Sequence, residues 1–144
     1  MLGCSVPAQP SASGSRSVPT RVLVVDDAYD SAELLNVLLT QAGYDVRVAF
    51  SAQEAVGVVA EFVPDIAVLD LGLPGETGFD LIVMLKAIAS MSGCRYVALT
   101  GYDVPSVIQQ TVSAGFATHL VKPVPIAKLL GTIAGLQDSG VGNG

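Results

Sequence analysis

Five residues able to do chemistry stand at the ends of short apolar runs in this chain of 144 residues. Asp26 and Asp27 follow Val22-Leu23-Val24-Val25, and Asp70 ends the run Ile66-Ala67-Val68-Leu69. Thr100 follows Val97-Ala98-Leu99, and Lys122 follows His119-Leu120-Val121. Taken singly, each Asp reads as a turn or helix-cap residue and the Lys as a solvated charge. Taken together they offer three acids, one hydroxyl and one amine. Three like charges gathered at one place repel strongly unless something positive sits between them. A divalent cation is the natural solution, and carboxylates, a backbone carbonyl and retained waters suit the octahedral preference of magnesium. An accessible carboxylate is also a nucleophile toward phosphorus, giving an aspartyl-phosphate. The transition state of that reaction spreads negative charge over the equatorial oxygens, where magnesium, the Lys122 ammonium and the Thr100 hydroxyl would meet it.

The elements that must bring these residues together are legible in the pattern. Apolar runs at Arg21–Val25, Tyr44–Ala49, Asp65–Leu69, Arg95–Leu99 and Thr118–Val121 predict strands. All but the second are nearly continuous, as expected of strands buried on both faces of a parallel sheet. Helical spacing lies between them. Leu35, Leu38, Leu39 and Ala42 mark the first helix; Ala52, Ala55, Val56 and Val59 mark the second, with Ser51-x-x-Glu54 as its capping box. Ile82, Leu85, Ile88 and Ala89 mark the third, and the fourth is expected from Asp103 as N-cap to just before Gly115. Ile126, Leu129, Leu130 and Ile133 mark the fifth, with Pro125 suited to its first turn. Such alternation predicts an α/β fold, a doubly wound five-stranded parallel sheet with five helices on its two faces. In such sheets ligands bind beyond the carboxyl ends of the strands, where all five chemical residues fall.

Composition narrows the class. Hydrophobic residues make up 51% and charged residues 14% of the chain, the latter well below the roughly 25% of ordinary soluble domains. That predicts a well-filled interior with apolar surface left for a partner. No run approaches the ~18 consecutive apolar residues of a membrane-spanning helix. A net charge of −6 argues against a nucleic-acid-binding surface. Cys4 and Cys94 suggest neither a disulfide framework nor a zinc site, which fits a reducing, cytoplasmic setting. Met1-Leu2-Gly3-Cys4 is superficially like a lipoprotein cleavage box but lacks the charged and apolar regions that precede one. Residues 1–19, rich in Ser, Pro, Gly and Ala, are expected to be a disordered tail or linker, 20–136 the folded domain, and 137–144 a second disordered tail.

Over roughly residues 20–136 the pattern resembles the response-regulator receiver domain of two-component signalling. Val22-Leu23-Val24-Val25-Asp26-Asp27, Asp70-Leu71-Gly72-Leu73-Pro74-Gly75, Ala98-Leu99-Thr100-Gly101, Ala114-Gly115-Phe116 and His119-Leu120-Val121-Lys122-Pro123 carry the likeness, in order and at strand ends. The resemblance implies a flavodoxin-like strand order of 2-1-3-4-5. It implies Asp70 as phosphoacceptor, with magnesium held by Asp27 directly, Asp26 through water, Asp70 and the Gly72 carbonyl. Thr100 and the Gly101 amide would bind phosphoryl oxygens, and Lys122 would pair with another. The Lys122–Pro123 bond would be cis, a mild departure before proline. Thr100 and His119 would form the switch, His119 standing where the family commonly has an aromatic side chain that turns inward. An exposed ring is the simpler alternative for His119, and a chemical role the remote one.

The resemblance also implies a histidine kinase or histidine phosphotransfer protein as phosphodonor, an unidentified downstream protein as target, and no catalysis beyond the domain's own phosphorylation and dephosphorylation. The helix 4, strand 5 and helix 5 face would change for that partner. Val104, Ile108 and Val112 form a stripe on the fourth helix that reads as core. Val107 is off the stripe, a candidate exposed contact for a partner or a weak dimer. A haloacid-dehalogenase-like phosphatase needs Asp-x-Asp after its first strand, whereas here the paired acids come first and Leu71-Gly72 follows the third-strand acid. A flavodoxin-type loop would have to cradle phosphate where Asp26 and Asp27 repel it. A receiver-like module that takes no phosphate is opposed by the full set of acids with Thr100 and Lys122. A single-domain regulator is the favoured context, and the C-terminal receiver of a hybrid histidine kinase is the alternative. Tyr102, two residues past Thr100, is expected to shield a phosphoryl group on Asp70 from water, while Gly72 offers no shielding. Tyr102→Ala should therefore dephosphorylate faster than wild type in a time course of phosphoprotein decay.

Overall fold

A computed structural model describes residues 19–73, 75–101 and 105–143. The tail expected over 1–19, Pro19 apart, lies outside the described residues, as do Cys4, Pro74, Tyr102, the expected N-cap Asp103 and Val104. Five strands, β1 (Arg21–Val25), β2 (Asp45–Ala49), β3 (Ile66–Asp70), β4 (Arg95–Thr100) and β5 (Thr118–Val121), alternate with five α-helices. The helices are α1 (Tyr29–Gln41), α2 (Ala52–Val59), α3 (Gly78–Lys86), α4 (Pro105–Ala114) and α5 (Ile126–Asn143), and a 3-10 turn at Ala89–Met91 follows α3. All strand pairs are parallel and the sheet order is β2-β1-β3-β4-β5, the expected 2-1-3-4-5.

Strand alternation divides the interior into two cores. Leu23, Val25, Ala67, Leu69, Tyr96 and Ala98 face α2, α3 and α4, packing on Ala55, Val59, Leu81, Ile82 and Leu85. Val22, Val24, Val68, Val97 and Leu99 face α1 and α5, packing on Leu39, Leu129 and Ile133. Both faces of β1, β3 and β4 are covered, which is why those runs are continuously apolar; β5, expected to share that burial, is an edge strand in which only Leu120 is fully buried. No helix among the described residues is long and apolar enough to cross a membrane.

Several local expectations shift. The third strand ends on Asp70 and the fourth on Thr100, one residue later than the apolar runs suggest. The second helix is capped by Ser51 Oγ, which accepts from the Glu54 amide at 3.1 Å. The Glu54 carboxylate reaches back to the Phe50 amide at 2.6 Å instead of the Ser51 amide, so the box closes one residue early. The third helix stops at Lys86, leaving Ile88 and Ala89 beyond it.

The fourth helix is rotated from its expected orientation. Val112 is 69% exposed, whereas Val107 and Ala114 pack against the α3-side core and Thr111 is buried. Apolar count favoured the Ile108–Val112 stripe, but Thr111 can enter the interior because its hydroxyl donates to the Ile108 carbonyl at 2.7 Å. Val107 is thus a core contact and not the exposed one. The fifth helix runs to Asn143, past the end expected at 136. Gly131 and Gly135 weaken a helix by roughly 1 kcal/mol each, but Gln137 anchors the far end. Its carbonyl accepts from the Tyr44 hydroxyl at 2.9 Å and its amide donates to Thr20 Oγ1.

The rotation has a direct test. In urea unfolding, Val112→Glu should stay within about 0.5 kcal/mol of wild type, while Val107→Glu should lose at least about 1 kcal/mol.

Candidate functional site

The register of the sheet assembles the site. Val25 lies opposite Leu69, which brings Asp26 beside Asp70 across the β1–β3 pair. Asp70 lies opposite Leu99, so Thr100 stands one residue beyond it, and Thr100 lies opposite Val121, so Lys122 stands one beyond that. Backbone hydrogen bonds past the strand ends hold this stagger: Asp26 N–H to the Ala49 carbonyl at 3.1 Å, Leu71 N–H to Leu99 at 2.8 Å and Lys122 N–H to Thr100 at 2.7 Å.

Carboxylate oxygens of Asp26, Asp27 and Asp70 lie within 4.8 Å of one another. Asp26 and Asp70 are 1% and 6% exposed, while Asp27 is exposed. The Lys122 ammonium bridges the two buried acids, at 3.1 Å from Asp26 Oδ2 and 3.0 Å from Asp70 Oδ2. The remaining oxygens meet backbone donors: Ala28 N–H to Asp26 Oδ1 at 3.0 Å and Gly72 N–H to Asp70 Oδ1 at 2.9 Å. Thr100 is buried at the rim, Gly101 is exposed, and His119 is half-buried in β5 opposite Ala98. The Lys122–Pro123 bond is cis.

Charge is concentrated here. Burial pushes the Asp26 carboxyl above its usual range; the Ala28 amide and Lys122 work against this, and the charge of Asp70 adds to it. Burial works to lower the Lys122 pKa, but hydrogen bonds to Asp70 and Asp26 and their charges outweigh it and hold the ammonium above the usual lysine value. The lysine therefore stays charged at neutral pH. Three carboxyl groups face a single ammonium here. The donors are hard oxygens, and a divalent cation such as magnesium fits both their charge and their chemistry.

All the expected acids, with Thr100 and Lys122, thus meet on one rim. Among the described residues, Thr77 and Gly78, at the start of α3, escaped the sequence reading. Thr77 caps the helix in a box with Asp80, and the Thr77-x-x-Asp80 spacing before an apolar run was the available signal.

A family model described as the response regulator receiver domain matches residues 22–134. The chain belongs to the response-regulator receiver family. Sporulation initiation phosphotransferase F of Bacillus subtilis is 30% identical over 109 residues, covering 76% of this chain and 86% of that protein. The sensory/regulatory protein RpfC of Xanthomonas campestris is 36% identical over 122 residues, and the match covers 83% of this chain but only 17% of RpfC. A response regulator protein from Burkholderia pseudomallei, solved with a phosphorylated aspartic acid, a calcium ion and citrate, matches with a TM-score of 0.71 at 30% identity. That match covers 77% of this chain and 64% of the solved one.

Because this receiver holds Asp26 against its own desolvation and against Asp70, removing that charge should stabilise the metal-free domain. Asp26→Asn keeps the shape and the Ala28 contact, and Lys122 keeps Asp70. In EDTA at neutral pH its unfolding free energy should rise above that of wild type. The sign follows from the raised pKa: ionised Asp26 costs stability as pH climbs from the ordinary carboxylate value through the folded one. The gain should therefore shrink toward pH 4, read from urea midpoints at the two pH values.

Proposed function

We propose that this receiver is a magnesium-dependent phosphoacceptor switch in a two-component phosphorelay, with Asp70 as the residue that carries the phosphoryl group. The observation that carries the reading is the cluster of three carboxylates within 4.8 Å, two of them bridged by Lys122. Asp26, Asp27, Asp70 and the Gly72 carbonyl would hold the metal, which supplies positive charge beside the incoming phosphoryl oxygens. The Asp70 carboxylate oxygen bonds to phosphorus as the phosphorus–nitrogen bond of a donor phosphohistidine breaks, and the imidazole leaves with its electron pair and takes up a proton. Lys122 is already 3.0 Å from Asp70, so its ammonium needs little movement to meet a phosphoryl oxygen. The Thr100 hydroxyl and the Gly101 amide bind the others. Water later cleaves the acyl phosphate and returns Asp70.

The donor is a histidine kinase or a histidine phosphotransfer protein. Thr100 and His119 pass the change outward: Thr100 is drawn to the phosphoryl group, and the half-buried His119 ring on the neighbouring strand follows. The α4, β5 and α5 face then alters for a downstream protein in the cytoplasm. Two contexts have support. Similarity over most of the sporulation phosphotransferase favours a single-domain regulator, and the match to a small part of RpfC favours a receiver belonging to a hybrid histidine kinase.

Intact mass after incubation with acetyl phosphate tests the reading. Wild type should gain one phosphoryl group in magnesium and none in EDTA, and Asp70→Asn should gain none. Removing the Thr100 hydroxyl or the Lys122 amine should slow the gain by about 100–1000-fold, the range for losing one group that stabilises transition-state charge. A wild-type protein that binds magnesium yet gains no mass would instead be a phosphate-independent interaction module.

A further inference from the structure

The start of α3 touches the phosphoacceptor strand with no side chain between them. A Cβ on Gly78 would lie 2.8 Å from the Asp70 carbonyl oxygen, 2.9 Å from Leu71 Cα and 2.9 Å from Leu71 Cδ2. Two of these three atoms are backbone and cannot swing aside. Gly78 is not in the left-handed region of backbone space, so glycine is required here for close approach and not for its torsional freedom.

The contact leads to the carboxylate through a single peptide unit. The Gly78 amide donates to the Leu71 carbonyl at 3.4 Å, and the N–H of that same peptide, on Gly72, donates to Asp70 Oδ1 at 2.9 Å. Helix α3 has little room to retreat. Leu81, Ile82 and Leu85 are fully buried, and Thr77 and Asp80 close a capping box around the first turn.

We propose that Gly78 is a positioning residue for the phosphoacceptor site: without a Cβ, it seats α3 on the backbone of Asp70 and Leu71 and so sets the Leu71–Gly72 peptide that orients the Asp70 carboxylate. This rests on the metal-site reading above, because the displaced peptide holds Asp70 through the Gly72 N–H and leads directly into the Gly72 carbonyl. A methyl group at position 78 must push the 2.8 and 2.9 Å backbone contacts out to ordinary van der Waals distance, a displacement that reaches the roughly 0.5 Å that site geometry tolerates.

The test is magnesium binding by calorimetry without any phosphodonor, with folding followed separately by circular dichroism in EDTA. Gly78→Ala should bind magnesium at least ~10-fold more weakly than wild type, the scale for disturbing groups that orient metal ligands. Gly57→Ala, which adds a methyl with nothing within 4 Å, should bind like wild type. Adding Leu71→Ala to Gly78→Ala should not restore affinity, since the backbone contacts remain. Equal affinity in Gly78→Ala, or restoration by Leu71→Ala, overturns the proposal. No magnesium binding by wild type overturns the metal-site reading itself. Should Gly78→Ala fail to fold, amide resonances of the wild-type protein decide. The Gly78 amide should shift along the same magnesium isotherm as that of Gly72, and a Gly78 signal unmoved at saturation overturns the proposal.

Discussion

Three carboxylates crowded at one end of a buried sheet are the constraint on which the rest of this receiver depends. Asp26 and Asp70 sit out of water, side by side across two central strands, and only the Lys122 ammonium stands between them. Bringing like charges together in a poorly solvated place disfavours folding, so the scaffold must supply stability elsewhere. It does so with two apolar cores, one on each face of the sheet, in which many side chains are completely buried.

That imbalance suits the proposed switch. A stable arrangement of neutralised charges would have no reason to accept a cation or a phosphoryl group. Here three carboxyl groups face one ammonium, and that lysine lies within hydrogen-bonding distance of the acid proposed to react. Adding a divalent ion relieves the repulsion, and adding a phosphoryl group gives the lysine and the neighbouring hydroxyl a new target. In the proposed switch a local change in charge acts first on Thr100 and on β5, which is paired with its strand.

Rigidity around the acids matters as much as charge. The strand ends at the site are locked to their neighbours by backbone hydrogen bonds, and the first residue of α3, Gly78, presses on the Asp70–Leu71 backbone without an intervening side chain. Loops that hold charged groups in place this way leave the groups little freedom to relax apart, which keeps the repulsion available for binding.

The sequence by itself determined the alternation of elements, the two-sided burial of β1, β3 and β4, and the identity of the five rim residues. Each of these rests on local information: an unbroken apolar run, a helical period, a polar residue where the run stops. Only the tertiary structure decided which face α4 presents, because Thr111 satisfies its own hydroxyl within the helix and frees Val112 to face solvent. Only the structure showed that α5 continues to Asn143, held by Gln137 to Tyr44 and Thr20. Tyr44 and Gln137 lie 93 residues apart in the chain, so no local pattern announces their contact. Gly78 is the sharpest case. One glycine among 15 carries no mark of its own, and its need for an absent Cβ exists only once α3 is laid against the backbone of Asp70.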